Sequence, residues 1–202
     1  MDLNLGRTRL ILDVCASHSL TLPQAAYLLA TARWETAHTM EPVREAYYLG
    51  SRAEAYRKTL RYYPWYGRGF VQLTWRENYE RAQKELVRDL TTNPDVVMQP
   101  DIAAEILVRG CMGGWFTGKK LTDYVREEYI DFKGARRVVN GTDRAAEIAD
   151  LAVKYQAALV AEKWGQGVQV SPPAANSSRN PLAALLAALL GAIANIIGKG
   201  RA

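Results

Sequence analysis

The sequence predicts a mainly α-helical domain followed by a hydrophobic C-terminal helix. Three observations carry this: apolar residues recur at helical spacing, helix-opening signals are frequent, and strand signals are few. Of the 202 residues 49% are hydrophobic and 23% charged, enough for one sizeable core, placed at residues 1–164.

The opening MDLNLGRTRLILDVCASHSL has an early aspartate and no uninterrupted apolar run, so it reads as a first helix rather than a signal peptide. Thr21-Leu-Pro-Gln24 has the form of a capping box with proline in the first turn. It opens a helix to about Ala37, with Ala25, Leu28, Leu29 and Ala32 on one buried face. Ser51-Arg-Ala-Glu54 and Thr74-Trp-Arg-Glu77 open two more. From Pro100 to Met112 the residues Ile102, Ala103, Ile106 and Leu107 keep helical spacing. Asp143 is placed to cap a long helix to about Trp164, with Ile148, Leu151, Ala152, Tyr155 and Leu159 along one face. Only GRGFVQL, residues 67–73, looks like a strand, so one small hairpin is expected.

The composition changes after Trp164. GQGVQVSPPAANSSRNP, residues 165–181, is rich in Gly, Pro, Ser and Asn, which is linker composition. Residues 182–198 carry no charge and set leucines and isoleucines opposite alanines and glycine. A membrane span takes about 20 apolar residues, so this run is short. Membrane contact is the favoured reading; an amphipathic surface helix and docking on protein are its alternatives.

The net charge of +5 and pI near 9.2 favour anionic partners: nucleic acid, an anionic membrane or an acidic wall polymer. The cations are scattered, with no block of five. Cys15 and Cys111 stand far apart without a CxxC, which argues against a disulfide framework and for a reducing compartment. The chain is expected to be a monomer, made in the cytoplasm and acting at the cell wall.

The chemistry begins with an anomaly. The apolar stripe of the second helix continues to position 35, which holds a glutamate in ARWETAH. On that stripe the carboxylate would be desolvated; pairing with Arg33 is the ordinary alternative. Glu45, beyond the helix end, supplies a second carboxylate able to face the first across a cleft, as glycosidic hydrolysis requires. Arg44 stands beside it as a candidate ion partner. RYYPWYGRGFVQLTWRENY, residues 61–79, then adds aromatic faces that stack on sugars and polar groups that bond their hydroxyls. Single-stranded nucleic acid would need more cations along the groove and no convergent carboxylates. Glu35-Thr-Ala-His38 has one Glu-x-x-His and no second copy, and HExxH, P-loop and GxSxG patterns are missing, so neither metal nor cofactor is expected.

ARWETAHTMEPVREAYYLG, AEAYRKTLRYYPWYGRGFVQLTWRENYERA and ARRVVNGTDRAAEIA together resemble glycoside hydrolase family 19. The likeness is closest to its bacterial and bacteriophage branch, which includes endolysins alongside chitinases. The resemblance implies a lysozyme-like, two-lobed helical fold and single-displacement hydrolysis of peptidoglycan or chitin with inversion. It implies that Glu35 is the general acid, Glu45 the base, and Thr74 a holder of the attacking water. It further implies that Gln72, Asn78 and Asn140 contact or organise substrate, with Tyr66 and Arg68 of YGRG serving substrate or structure. WETAHT in place of the chitinase HET-plus-glycine pattern, and the short Glu35–Glu45 spacing, tilt the substrate toward peptidoglycan.

Overall fold

A computed structural model describes residues 1–165. Apart from Gly165, the expected linker at 165–181 and hydrophobic helix at 182–198 lie outside the described residues. Six α-helices dominate: α1 (Thr8–Ser17), α2 (Leu22–Glu35), α3 (Ala53–Arg57), α4 (Arg76–Leu86), α5 (Pro100–Gly113) and α6 (Ala145–Ala161). Among the described residues no helix is long and apolar enough to cross a membrane.

The central element is α2. Every residue from Gln24 to Ala32 is buried, so the helix has no solvent face until its last turn. The single buried face read from the sequence is thus corrected to a helix enclosed on all sides. Its most extensive neighbour is α6, while α1 and α4 pack on α5. Ile148, Ala152, Tyr155 and Leu159 of α6 and Ile102, Ala103, Ile106 and Leu107 of α5 are buried in the core as their spacing required.

Helix ends are set by local chemistry. The expected capping box opens α2, with Gln24 Oε1 accepting from the Thr21 N–H at 3.1 Å and Pro23 in the first turn. Asp143 does not cap α6: Arg144, at φ 56°, is the N-cap residue, and the Asp143 carbonyl accepts from Arg136 Nε at 3.0 Å.

Two short antiparallel pairs replace the one expected hairpin. β3 (Val125–Arg126) and β4 (Tyr129–Ile130) form a true hairpin. β1 (Val43–Arg44) instead pairs with the distant β2 (Arg68–Gly69). Only two residues of GRGFVQL are strand, because the segment folds back on itself through reciprocal Arg68–Leu73 backbone hydrogen bonds of 3.2 and 2.9 Å. Gly69 turns at φ 83° under Val97 and Ala103, where a Cβ would lie 3.3–3.4 Å from its neighbours.

The β1–β2 pair is clamped by charge. Arg44 Nη2 lies 3.1 Å from Asp95 Oδ2, and Arg68 Nε donates to Asp95 Oδ1 at 2.9 Å. Burial pushes the Asp95 carboxyl up, but hydrogen bonds from Arg44 and Arg68 outweigh it and hold the group below the usual carboxylate range. A depressed folded-state pKa contributes stability above the unfolded value, about pH 4, and loses it as pH falls through the folded value. Asp95→Asn should therefore lower the melting temperature at pH 7 and flatten its further decline as pH falls below about 4. An unchanged acid slope would show that the clamp does not contribute.

Candidate active site

Glu35 is the last helical residue of α2, held there by a defined stop. The His38 N–H bonds Arg33 O at 2.8 Å and the Ala37 N–H bonds Trp34 O at 3.2 Å, the pattern of a Schellman motif. Ala37 takes the left-handed position at φ 46°, where glycine is usual. Thr36 Oγ1 also donates to Ala32 O at 2.7 Å and accepts from the Met40 N–H. This arrangement ends the helix where it leaves the core and delivers Glu35 to a cleft.

The carboxylate is not left on apolar surface, nor paired with Arg33. Arg136 Nη1 donates to Glu35 Oε1 at 2.7 Å, with the arginine side chain 3% exposed and the glutamate 17%. Glu35 sits at the negative end of the α2 dipole, and the guanidinium compensates for that position. Arg136 comes from the 3-10 turn Gly134–Val138, which Asp131 opens by accepting from the Gly134 N–H at 2.7 Å. Its carbonyl also accepts from the Asn140 N–H at 2.9 Å, which ties the VVNGTD loop to the same arginine.

Glu45 follows β1 and has both carboxylate oxygens engaged. Tyr62 Oη donates to Oε1 at 2.8 Å, and the Gly67 N–H donates to Oε2 at 2.9 Å. The Glu45 backbone is fixed as well: its N–H bonds Gly67 O at 2.7 Å, and its carbonyl accepts from Arg57 Nε at 2.7 Å. Arg44, expected as its ion partner, turns to Asp95 instead.

Two recesses meet at Glu35 and Gln72. One, of about 370 Å³, is lined by Glu35, Tyr62, Gln72, Thr74, Trp75, Asn78, Phe116 and Asn140 among others. The other, of about 330 Å³, places Glu35, Gln72 and Glu45 together with Trp34, Tyr47, Tyr48 and Tyr56. Of the residues singled out in the sequence, Glu35, Gln72, Thr74, Asn78 and Asn140 thus line the larger recess and Glu45 the adjoining one, with Glu35 and Gln72 common to both. Gln72 Nε2 donates to Val43 O at 3.0 Å, Thr74 Oγ1 to Gln72 O at 2.8 Å, and Asn78 Nδ2 to Thr74 O at 2.8 Å. The Thr74 hydroxyl is therefore committed as a donor and free to act toward ligand as an acceptor. It lines the larger recess rather than the one that holds Glu45.

Tyr66 and Arg68 do not line the cleft, which corrects a substrate-contact role. Arg68 is 4% exposed and stacks over the Tyr66 ring at 3.6 Å. Besides Asp95, it donates to Pro64 O and to Tyr79 Oη. The two residues brace the β1–β2 pair from the buried side. The sequence reading missed Arg136 and Tyr62 as direct partners of the two carboxylates. It also missed that the non-glycine positive-φ residues Ala37, His38, Met40, Ala46, Gln72 and Trp75 flank this site.

The family model described as chitinase class I matches residues 17–122, a stretch that contains Glu35, Glu45, Gln72, Thr74 and Asn78. The chain belongs to glycoside hydrolase family 19. No curated protein matches it. This family 19 enzyme is a glycoside hydrolase, of a family that acts on glycan polymers such as chitin or peptidoglycan. Asn140 and Arg136 fall beyond the matched stretch and enter the site through the fold.

Proposed function

We propose that this family 19 enzyme cleaves the β-1,4-linked glycan of bacterial peptidoglycan by inverting acid–base catalysis, as an endolysin-type lysozyme of lysozyme-like, two-lobed architecture. The observation that carries the reading is that Glu35 and Glu45 line the same recess, each held by its own donors. Arg136 occupies Glu35 Oε1, so Oε2 is the oxygen left to carry a proton to the departing glycosidic oxygen. Glu45 takes a proton from a water that attacks the anomeric carbon from the opposite face. Each Glu45 oxygen already accepts one hydrogen bond and keeps capacity for another, which suits it to hold that water. Gln72, Asn78 and Asn140 bond sugar hydroxyls, Thr74 accepts from a hydroxyl or water, and the aromatic rims of Trp75 on one side and Tyr48 on the other stack on pyranose rings.

The net charge of +5 suits an anionic wall, where the enzyme would act after synthesis in the cytoplasm. Within this proposal, residues 1–164 form the catalytic domain, 165–181 the linker and 182–198 a membrane-contacting segment. Purified peptidoglycan should release reducing ends while chitin oligomers do not, with the α anomer formed first by NMR. Chitin is the second reading, favoured by the chitinase description of the matched family. Cleavage of chitin oligomers but not peptidoglycan would replace the first reading by the second. Truncation after Gly165 should keep hydrolysis of soluble wall fragments and lose vesicle binding.

A further inference from the structure

We propose that Tyr62 is the positioning residue for Glu45, aligning its carboxylate toward the attacking water and joining the two recesses of the cleft. The inference rests on Glu45 being the base. Tyr62 lines the larger recess with Glu35, while its hydroxyl reaches Glu45 Oε1, an atom of a residue that lines the other. It is the side-chain donor to that carboxylate among the described residues; the second donor, the Gly67 N–H, belongs to the backbone. Two donors on two different oxygens fix both the plane and the rotation of a carboxylate, whereas one leaves it free to swing.

The ring is itself held. Its centroid lies 4.9 Å from that of Trp75 at 55°, and Arg61 covers the other aromatic of this pair at 4.7 Å. Burial and the Glu45 hydrogen bond push the Tyr62 phenol up to about 12, so it stays a donor throughout the range in which the enzyme could work. With its proton directed at Glu45, the phenol oxygen can still accept from the water that Glu45 deprotonates.

Tyr62→Phe keeps the ring against Trp75 and removes only the hydroxyl. Assayed on the full chain, with whichever of purified peptidoglycan or chitin oligomers the unaltered enzyme cleaves, it should lower kcat at least about tenfold, with KM and melting temperature unchanged. In a Glu45→Gln background, measured at high enzyme concentration, the same substitution should change the residual rate less than about twofold. An equal loss in both backgrounds, or a loss confined to KM, would overturn the positioning role. Full activity of Glu45→Gln alone would instead remove the base assignment on which the role rests.

Discussion

Replacing Glu35 with glutamine should lower kcat about a thousandfold while the fold persists. A positioned general acid contributes roughly 10²–10⁴ in rate, and the carboxamide has no proton of suitable acidity to give. Folding should survive because glutamine retains an oxygen for Arg136, whose guanidinium would otherwise lose its acceptor at 2.7 Å. Glu35→Ala is the informative contrast: it removes the acid and the acceptor together, so it should lose both rate and stability. Reducing-end release and thermal melting of the two variants separate chemistry from scaffold. A Glu35→Gln enzyme within tenfold of the unaltered rate would remove Glu35 from the acid role.

The route to that site from the sequence was uneven, for physical reasons. Helical spacing placed Ile148, Ala152, Tyr155 and Leu159 of α6 correctly because that helix keeps an exposed face, although Leu151 is only half-buried. In α5 the four residues read as buried are so, but Ala104, Val108, Gly110 and Cys111 are buried with them. The same logic misread α2, where burial from Gln24 to Ala32 leaves no second face to compare. Glu35 looked like an intruder on an apolar stripe, yet it is where a fully enclosed helix emerges. The stop that places it there is carried by Ala37 in a left-handed conformation and the Thr36 hydroxyl, and neither glycine nor proline marks it. Glu45, in VREAYYLG, and Gln72 and Asn78, in YGRGFVQLTWRENY, were legible because each stretch carries a distinctive local pattern. Their partners were not. Nothing local separates Arg136 from its neighbour Arg137, although one is 2% exposed and the other faces solvent. Tyr62 was hidden among Tyr63, Trp65 and Tyr66 for the same reason: only the tertiary fold selects which aromatic reaches the carboxylate.

Arg136 is where stability and chemistry meet, so its removal should cost both. The side chain joins Glu35 to the carbonyl of Asp143, so it links the end of α2 to the segment that leads into α6. Arg136→Met approximates the volume of the stem but strands a carboxylate that is only 17% exposed. Breaking such a pair from one side costs about 3 kcal/mol, because the surviving charge keeps its desolvation and loses its partner. For a domain of this size that corresponds to roughly 10 °C in melting temperature. In a Glu35→Gln background the cost should shrink, since a carboxamide strands no charge, and the double-mutant cycle isolates that difference. Activity should fall as well, through loss of the hydrogen bond that fixes which Glu35 oxygen faces the leaving group. Equal destabilisation in both backgrounds would show that Arg136 acts through packing and the Asp143 carbonyl alone.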